Sequence, residues 1–161
     1  MKTEGYLKVT EISVDEIADF LETATLGTTD LCYEYDTDEH YKALVERGLL
    51  GNDNKMCSCE VAAVMLDSGG TIKLIDIESD GEHYWKLPYK VNGDRETEYT
   101  ITIRDFKEGI ERALNGTYFL TSLDEKKSVM EAAQSVVCGE YDHYDAWLVI
   151  QVIMFNEIIY G

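Results

Sequence analysis

Bases are scarce in this chain. Fourteen Lys and Arg stand against 32 Asp and Glu, leaving a formal net charge of −18 over 161 residues. The deficit is local: residues 1–85 hold 19 acids and 6 bases, residues 128–161 hold 5 acids and no base, and residues 86–127 hold 8 of each. A field of that sign repels nucleic-acid and membrane phosphate and attracts cationic protein surfaces. Direct nucleic-acid binding and membrane association are therefore not expected. Proline is nearly absent, with Pro88 alone, which argues against linkers and low-complexity tracts. Long apolar runs are missing too. The longest, Ala146 to Tyr160, is interrupted by Gln151, Asn156 and Glu157 and is too short to span a bilayer. The first residues, MKTEGYLKVTEIS, lack the apolar core of a signal peptide, so a cytoplasmic location is expected. Cysteine is limited to Cys32, Cys57, Cys59 and Cys138. Without secretion these are expected to be free, mostly buried thiols. A phosphate-cradling Gly-rich loop, H-E-x-x-H and G-x-S-x-G are all absent, and no enzymatic activity or cofactor is assigned.

What is present suffices for a core. Apolar residues make up 45% of the chain, and one domain of this size buries roughly two-thirds of its unfolded-chain surface. Tyr6 to Val9 reads as a short strand. Ser13-Val14-Asp15-Glu16 fits a capping box, and Val14, Ile17, Ala18 and Leu21 follow at helical spacing, predicting a helix over 14–25. A polar, tyrosine-rich loop then leads to helices near 38–47 and 56–67. The period changes after Gly69-Gly70. Thr71 to Glu78, His83 to Val91 and Glu98 to Ile103 read as strands, with turns at Ser79-Asp80-Gly81 and Asn92-Gly93-Asp94. Helical spacing returns at Phe106, Ile110, Ala113 and Leu114. A second capping box, Ser122 to Glu125, opens a helix that stops at Gly139, and residues 143–160 read as a core helix, with a homodimer seam as the lesser option. The expected fold is a single α+β domain over 1–161. A three-stranded antiparallel meander (about 71–103) would pack against about five helices.

Three groups of residues carry a resemblance. They are Gly69-Gly70-Thr71-Ile72 with Leu74 and Asp76; Thr102-Ile103 with Asp105-Phe106 and Gly109-Ile110; and the ending Asp145-Ala146, Gln151, Phe155 and Glu157 to Gly161. In these the second half, about residues 69–161, resembles small proteins of phages and integrative elements of Gram-positive bacteria. The resemblance carries over no functional residue. It implies a setting, since mobile elements encode many small acidic proteins that block host defence nucleases.

Chemical candidates are few. Asp76-x-Glu78-x-Asp80-Gly81 resembles the start of a calcium loop, but position 12 would be Leu87 where a bidentate Glu is required. Cys57-x-Cys59 lacks the spacing and the further ligands of a zinc site. No metal is expected. Cys138 and His143, with Asp142 or Asp145, have the composition of a nucleophilic site, although Cys138-Gly139 stands where a helix ends and packing accounts for it.

The acidic tracts are the stronger signal. Asp30, Glu34, Asp36, Asp38 and Glu39 occur without a base and are interleaved with Tyr33 and Tyr35. Asp76, Glu78, Asp80 and Glu82 alternate, which on a strand sets them about 6.6 Å apart on one side. Asp15, Asp19 and Glu22 share a helix face, and Glu140, Asp142 and Asp145 sit beside Tyr141 and Tyr144. Each tract alone has a bland reading as solvated surface or helix cap. Together they lead to an expected non-enzymatic inhibitor whose acidic, nucleic-acid-mimicking face fills a basic groove of a nuclease or CRISPR effector. The residues expected to bind this partner are Asp30, Tyr33, Glu34, Tyr35, Asp36, Asp38, Glu39, Asp76, Glu78, Asp80 and Glu82. An immunity protein against a basic toxin nuclease uses the same physics. A ligand-binding or catalytic domain with an incidentally acidic surface is the rival class.

Overall fold

Local capping and a few long-range polar contacts define the elements of this chain. The computed structural model describes residues 2–4, 7–26, 29–34, 38–49, 59–78, 87–93 and 96–160. Among these residues six helices and two antiparallel sheets follow in chain order: β1 (Lys2–Glu4), β2 (Lys8–Glu11), α1 (Val14–Ala24), β3 (Thr29–Tyr33), α2 (Asp38–Glu46), α3 (Cys59–Asp67), β4 (Ile72–Asp76), β5 (Tyr89–Asn92), β6 (Glu96–Ile101), α4 (Ile103–Asn115), α5 (Leu123–Cys138) and α6 (His143–Phe155). The class is α+β. β1 and β2 form a two-stranded ribbon held to α4, where the Val9 N–H donates to Glu111 and the Asn115 amide donates to the Leu7 carbonyl.

The main sheet differs from a meander. Its order is β3-β4-β6-β5, so β6 lies between β4 and β5, and the segment read as a polar loop supplies a fourth strand, β3. Thr29 and Leu31 alternate inward and are buried, while Asp30 faces solvent, a period of two hidden by the polar residues between. The turn expected at Ser79-Asp80-Gly81 lies outside the described residues. Of the one at Asn92-Gly93-Asp94, Gly93 takes φ 65° after β5, and Asp94 lies outside the described residues.

Helix starts follow the sequence closely. Ser13 and Glu16 form the expected capping box. Thr102 with Asp105 and Asp142 with Asp145 form two more, using Asp for the reciprocal contact. Ser122 accepts from the Glu125 N–H, but the Glu125 carboxylate takes the Thr121 hydroxyl. α6 is the core helix, buried from Leu148 to Phe155. It stops at Asn156, which takes the left-handed conformation at φ 57°, and Arg112 donates to Asn156 Oδ1 at 2.6 Å and to the Val152 carbonyl at 3.2 Å. α4 crosses α6 at Gly109. A Cβ there would lie 2.5 Å from Ile153 Cγ1 and 2.8 Å from Ile153 Cα, so only glycine permits this approach.

Aromatic edges tie the layers together. Phe20 meets Phe106 at 5.4 Å and Tyr99 meets Phe155 at 5.5 Å, both edge-on, a geometry that adds about 0.5–1.5 kcal/mol beyond area burial. Gln151, wholly buried in an otherwise apolar helix, grips the last residues. Its Oε1 accepts from the N–H groups of Ile159 and Tyr160 at 2.9 and 2.8 Å, and its Nε2 donates to the Tyr160 carbonyl at 3.2 Å. Among the described residues no helix is long and apolar enough to cross a membrane.

Candidate functional site

Of the eleven residues named for partner binding, Tyr35, Asp36, Asp80 and Glu82 lie outside the described residues, and the other seven differ in exposure. On β3, Asp30 is exposed on the solvent face, but Tyr33 is half-buried and packs on the core, so it is not a projecting anchor. Glu34 is exposed and pairs with Lys73 of β4, which also lies 3.7 Å from Glu98. That lysine neutralises part of the tract. Tyr35 and Asp36 lie outside the described residues. Asp38 and Glu39 are exposed in the first turn of α2, where negative charge also complements the helix dipole.

Asp76 requires a correction. It is fully buried, not displayed. Its carboxylate accepts the Tyr160 hydroxyl at 2.9 Å and the Glu78 N–H at 3.0 Å, so it holds the last residues and the end of β4 rather than a partner. β4 stops at Asp76, which removes the strand alternation expected onward. Glu78 is exposed beyond it, and Asp80 and Glu82 lie outside the described residues.

A different convergence appears between the ends of the chain. α1 packs against α6, bringing the α1 acids to the turn between α5 and α6. Glu16, Asp19, Glu22 and Thr23 line one side of a hollow of about 280 Å³, and Val136, Gly139 and Tyr141 line the other. Gly139, in the left-handed conformation at φ 77°, ends α5 and turns the chain toward Tyr141. The Tyr141 ring lies 6.1 Å from Phe20. His143 Nδ1–H donates to the Thr23 carbonyl at 2.9 Å, pinning the turn to α1. Burial, with the Asp19 carboxylate second, pushes the Tyr141 phenol up to about 12. Glu140 is exposed beside it. Asp142 and Asp145 are spent on the α6 cap, Glu16 on the α1 cap, and Asp15 faces Arg47 at 3.4 Å, which also reaches Glu60. Among the described residues, Asp19, Glu22 and Glu140 are the acids here with no capping contact or ion pair shown.

Both groups were visible in the sequence as separate clusters. Their meeting was not, because it depends on the packing of residues about 120 positions apart. A larger hollow, about 600 Å³, runs along α5 past Leu123, Lys127 and Met130. It is mostly apolar, is edged by Lys126, Lys127 and Glu131, and takes none of the α1 acids, so we place the site at Tyr141.

The thiols are free, but Cys32 and Cys59 are half-buried and Cys138 is exposed, against the expectation of buried cysteines; Cys57 lies outside the described residues. Burial, then the Glu22 carboxylate, raises the Cys59 thiol, which makes it a poor nucleophile at neutral pH. The imidazole of His143 faces a carbonyl of α1, which gives it a positioning contact in place of an activating one. Compared with protein-family models, with curated proteins and with solved structures, the chain matches none.

Proposed function

We propose that this protein is a non-enzymatic inhibitor that places carboxylates in the basic groove of a nucleic-acid-binding defence protein, of nuclease or CRISPR-effector type, in the mobile-element setting that the resemblance implies. The observation that carries the reading is the meeting of Asp19 and Glu22 with Tyr141 around one hollow, with the exposed Glu140 next to Tyr141 in the chain. Carboxylates on successive turns of α1 stand ~5–6 Å apart, coarser than the ~3.4 Å phosphate interval of one strand but within reach of flexible Lys and Arg side chains. Each charged hydrogen bond at such a contact contributes about 1.5–3 kcal/mol where water is excluded. The Tyr141 ring supplies a flat wall on which a guanidinium stacks. The net charge of −18 accelerates encounter with a cationic face. Asp38 and Glu39 at the α2 N-terminus form a second, smaller acidic patch.

The test is affinity capture from bacterial lysate at low and high salt, with the wild type and an Asp19→Lys/Glu22→Lys/Glu140→Lys triple variant, and identification by mass spectrometry. The reading expects nucleic-acid-binding proteins retained by the wild type at low salt and lost by the variant. Equal retention by both, or capture indifferent to salt, removes this site from the reading.

A further inference from the structure

The buried end of the sheet holds two threonines that none of the above uses, beside the anchoring Asp76. Thr29 of β3 pairs with Asp76 of β4, and Asp76 pairs with Thr97 of β6. Directly opposed residues of antiparallel strands point to the same face, and here all three side chains enter the core, at 2%, 0% and 0% exposure. Among the described residues neither threonine hydroxyl has a hydrogen-bond partner. An unmade hydrogen bond at a buried hydroxyl is costly, and two flanking one carboxylate in a single row is a pattern, not a stray defect.

From this row we infer that Thr29–Asp76–Thr97 is a buried hydration site, in which one water bridges Thr29 to Asp76 and a second bridges Asp76 to Thr97. Distance decides the number. Adjacent strands lie about 4.8 Å apart, so the two threonines stand roughly 9–10 Å apart across Asp76. One water reaches about 5.6 Å between two partners at ordinary O–H···O lengths, enough for a single gap and too little for both. The same distance excludes one metal ion ligated by all three groups, since oxygen ligands sit at about 2.3–2.6 Å from such a cation and span about 5 Å. Each water donates to an Asp76 oxygen and accepts from a threonine hydroxyl. Asp76 already accepts the Tyr160 hydroxyl at 2.9 Å and the Glu78 N–H at 3.0 Å, so the waters join β3 and β6 to the segment that Gln151 grips.

Isosteric substitution separates this from a pair of merely unsatisfied hydroxyls. With the full chain, Thr29→Val and Thr97→Val are each expected to lower Tm by roughly 2–6 °C, the usual response of a domain this size to loss of one bridged hydrogen bond. Thr97→Ser, which keeps the hydroxyl, is expected to retain more of the wild-type Tm. In the unsubstituted protein, rotating-frame NMR cross-peaks from water to the amides of residues 29, 76 and 97 are expected to show long-lived waters. Valine variants that hold or raise Tm, or the lack of such cross-peaks, overturn the inference. An ion-specific Tm shift between sodium, potassium and choline chloride at equal ionic strength, abolished in Thr97→Val, also overturns it, in favour of a cation.

Discussion

Replacing Gln151 by Leu tests how the last residues of the chain are held. Gln151 is wholly enclosed by α6 and its neighbours, and three of its contacts have good length: two accepted N–H groups at 2.9 and 2.8 Å and one carbonyl at 3.2 Å. A fourth, to the Trp147 carbonyl at 3.4 Å, is too long to count for much. At a net of about 1 kcal/mol each, the three bonds contribute about 3 kcal/mol. Leucine has nearly the same volume and suits a buried position of the core helix, which returns about 1 kcal/mol of the transfer cost of a buried amide. Residues 159 and 160 are half-exposed, so their freed groups find water in part. The expected net loss is therefore about 2 kcal/mol, or about 4–8 °C in Tm for a chain of this length. Thermal melts by circular dichroism give the total. Hydrogen exchange localises it, with protection lost first at the Ile159 and Tyr160 amides. A Tm within about 2 °C of wild type, with both amides still protected, would refute the reasoning.

Further predictions follow from single contacts. Gly109→Ala gains about 1 kcal/mol of helix propensity but drives a methyl against the Ile153 backbone at 2.8 Å; overpacking of 1–3 kcal/mol or more is expected to win, and a melt no lower than wild type would show that α4 and α6 separate freely. The Tyr141 phenol is raised from 10.0 to about 12 in the fold, so between those values the unfolded state releases its proton first and stability falls as pH rises; Tyr141→Phe should flatten that fall, and identical slopes of Tm against pH for both proteins would contradict the assignment. Self-repulsion at −18 outweighs the exposed pairs at Arg47 and Lys73, so added monovalent salt is expected to raise Tm; a flat or falling response would mean the acids are too dispersed to repel one another.

Local signals in this sequence were legible and long-range ones were not. Ser13-x-x-Glu16 and the apolar spacing after it specify α1 by contacts within four residues, and the same holds for the end of α5 at Gly139. The Thr102 and Asp142 caps follow the same chemistry with a shorter acid at the third position. β3 was hidden because Thr-Asp-Leu-Cys-Tyr alternates weakly and its partner β4 lies about 40 residues away, where pairing depends on the assembled core and not on propensity. Asp76 looked like the head of an acidic ladder, and only Tyr160, 84 positions later, makes it a buried anchor. Several positions that carry the resemblance prove structural: Gly109 at the crossing, Asp145 in a cap, Gln151 and Tyr160 as the grip. The acids of α1 and Tyr141 after α5 were each recognised, but the hollow they share is a product of helix packing.

The central claim is that carboxylates around Tyr141 compete with nucleic acid for a cationic protein surface. Its most direct measurement is the dissociation constant between this protein and a captured partner, taken across monovalent salt from low to physiological strength and in the presence of competing nucleic acid. The account predicts affinity that falls steeply with salt, is lost when nucleic acid occupies the partner, and drops at least tenfold, about 1.4 kcal/mol, in the Asp19→Lys/Glu22→Lys/Glu140→Lys variant. Affinity that is indifferent to salt, coexists with bound nucleic acid and stays within about threefold in the variant would contradict it.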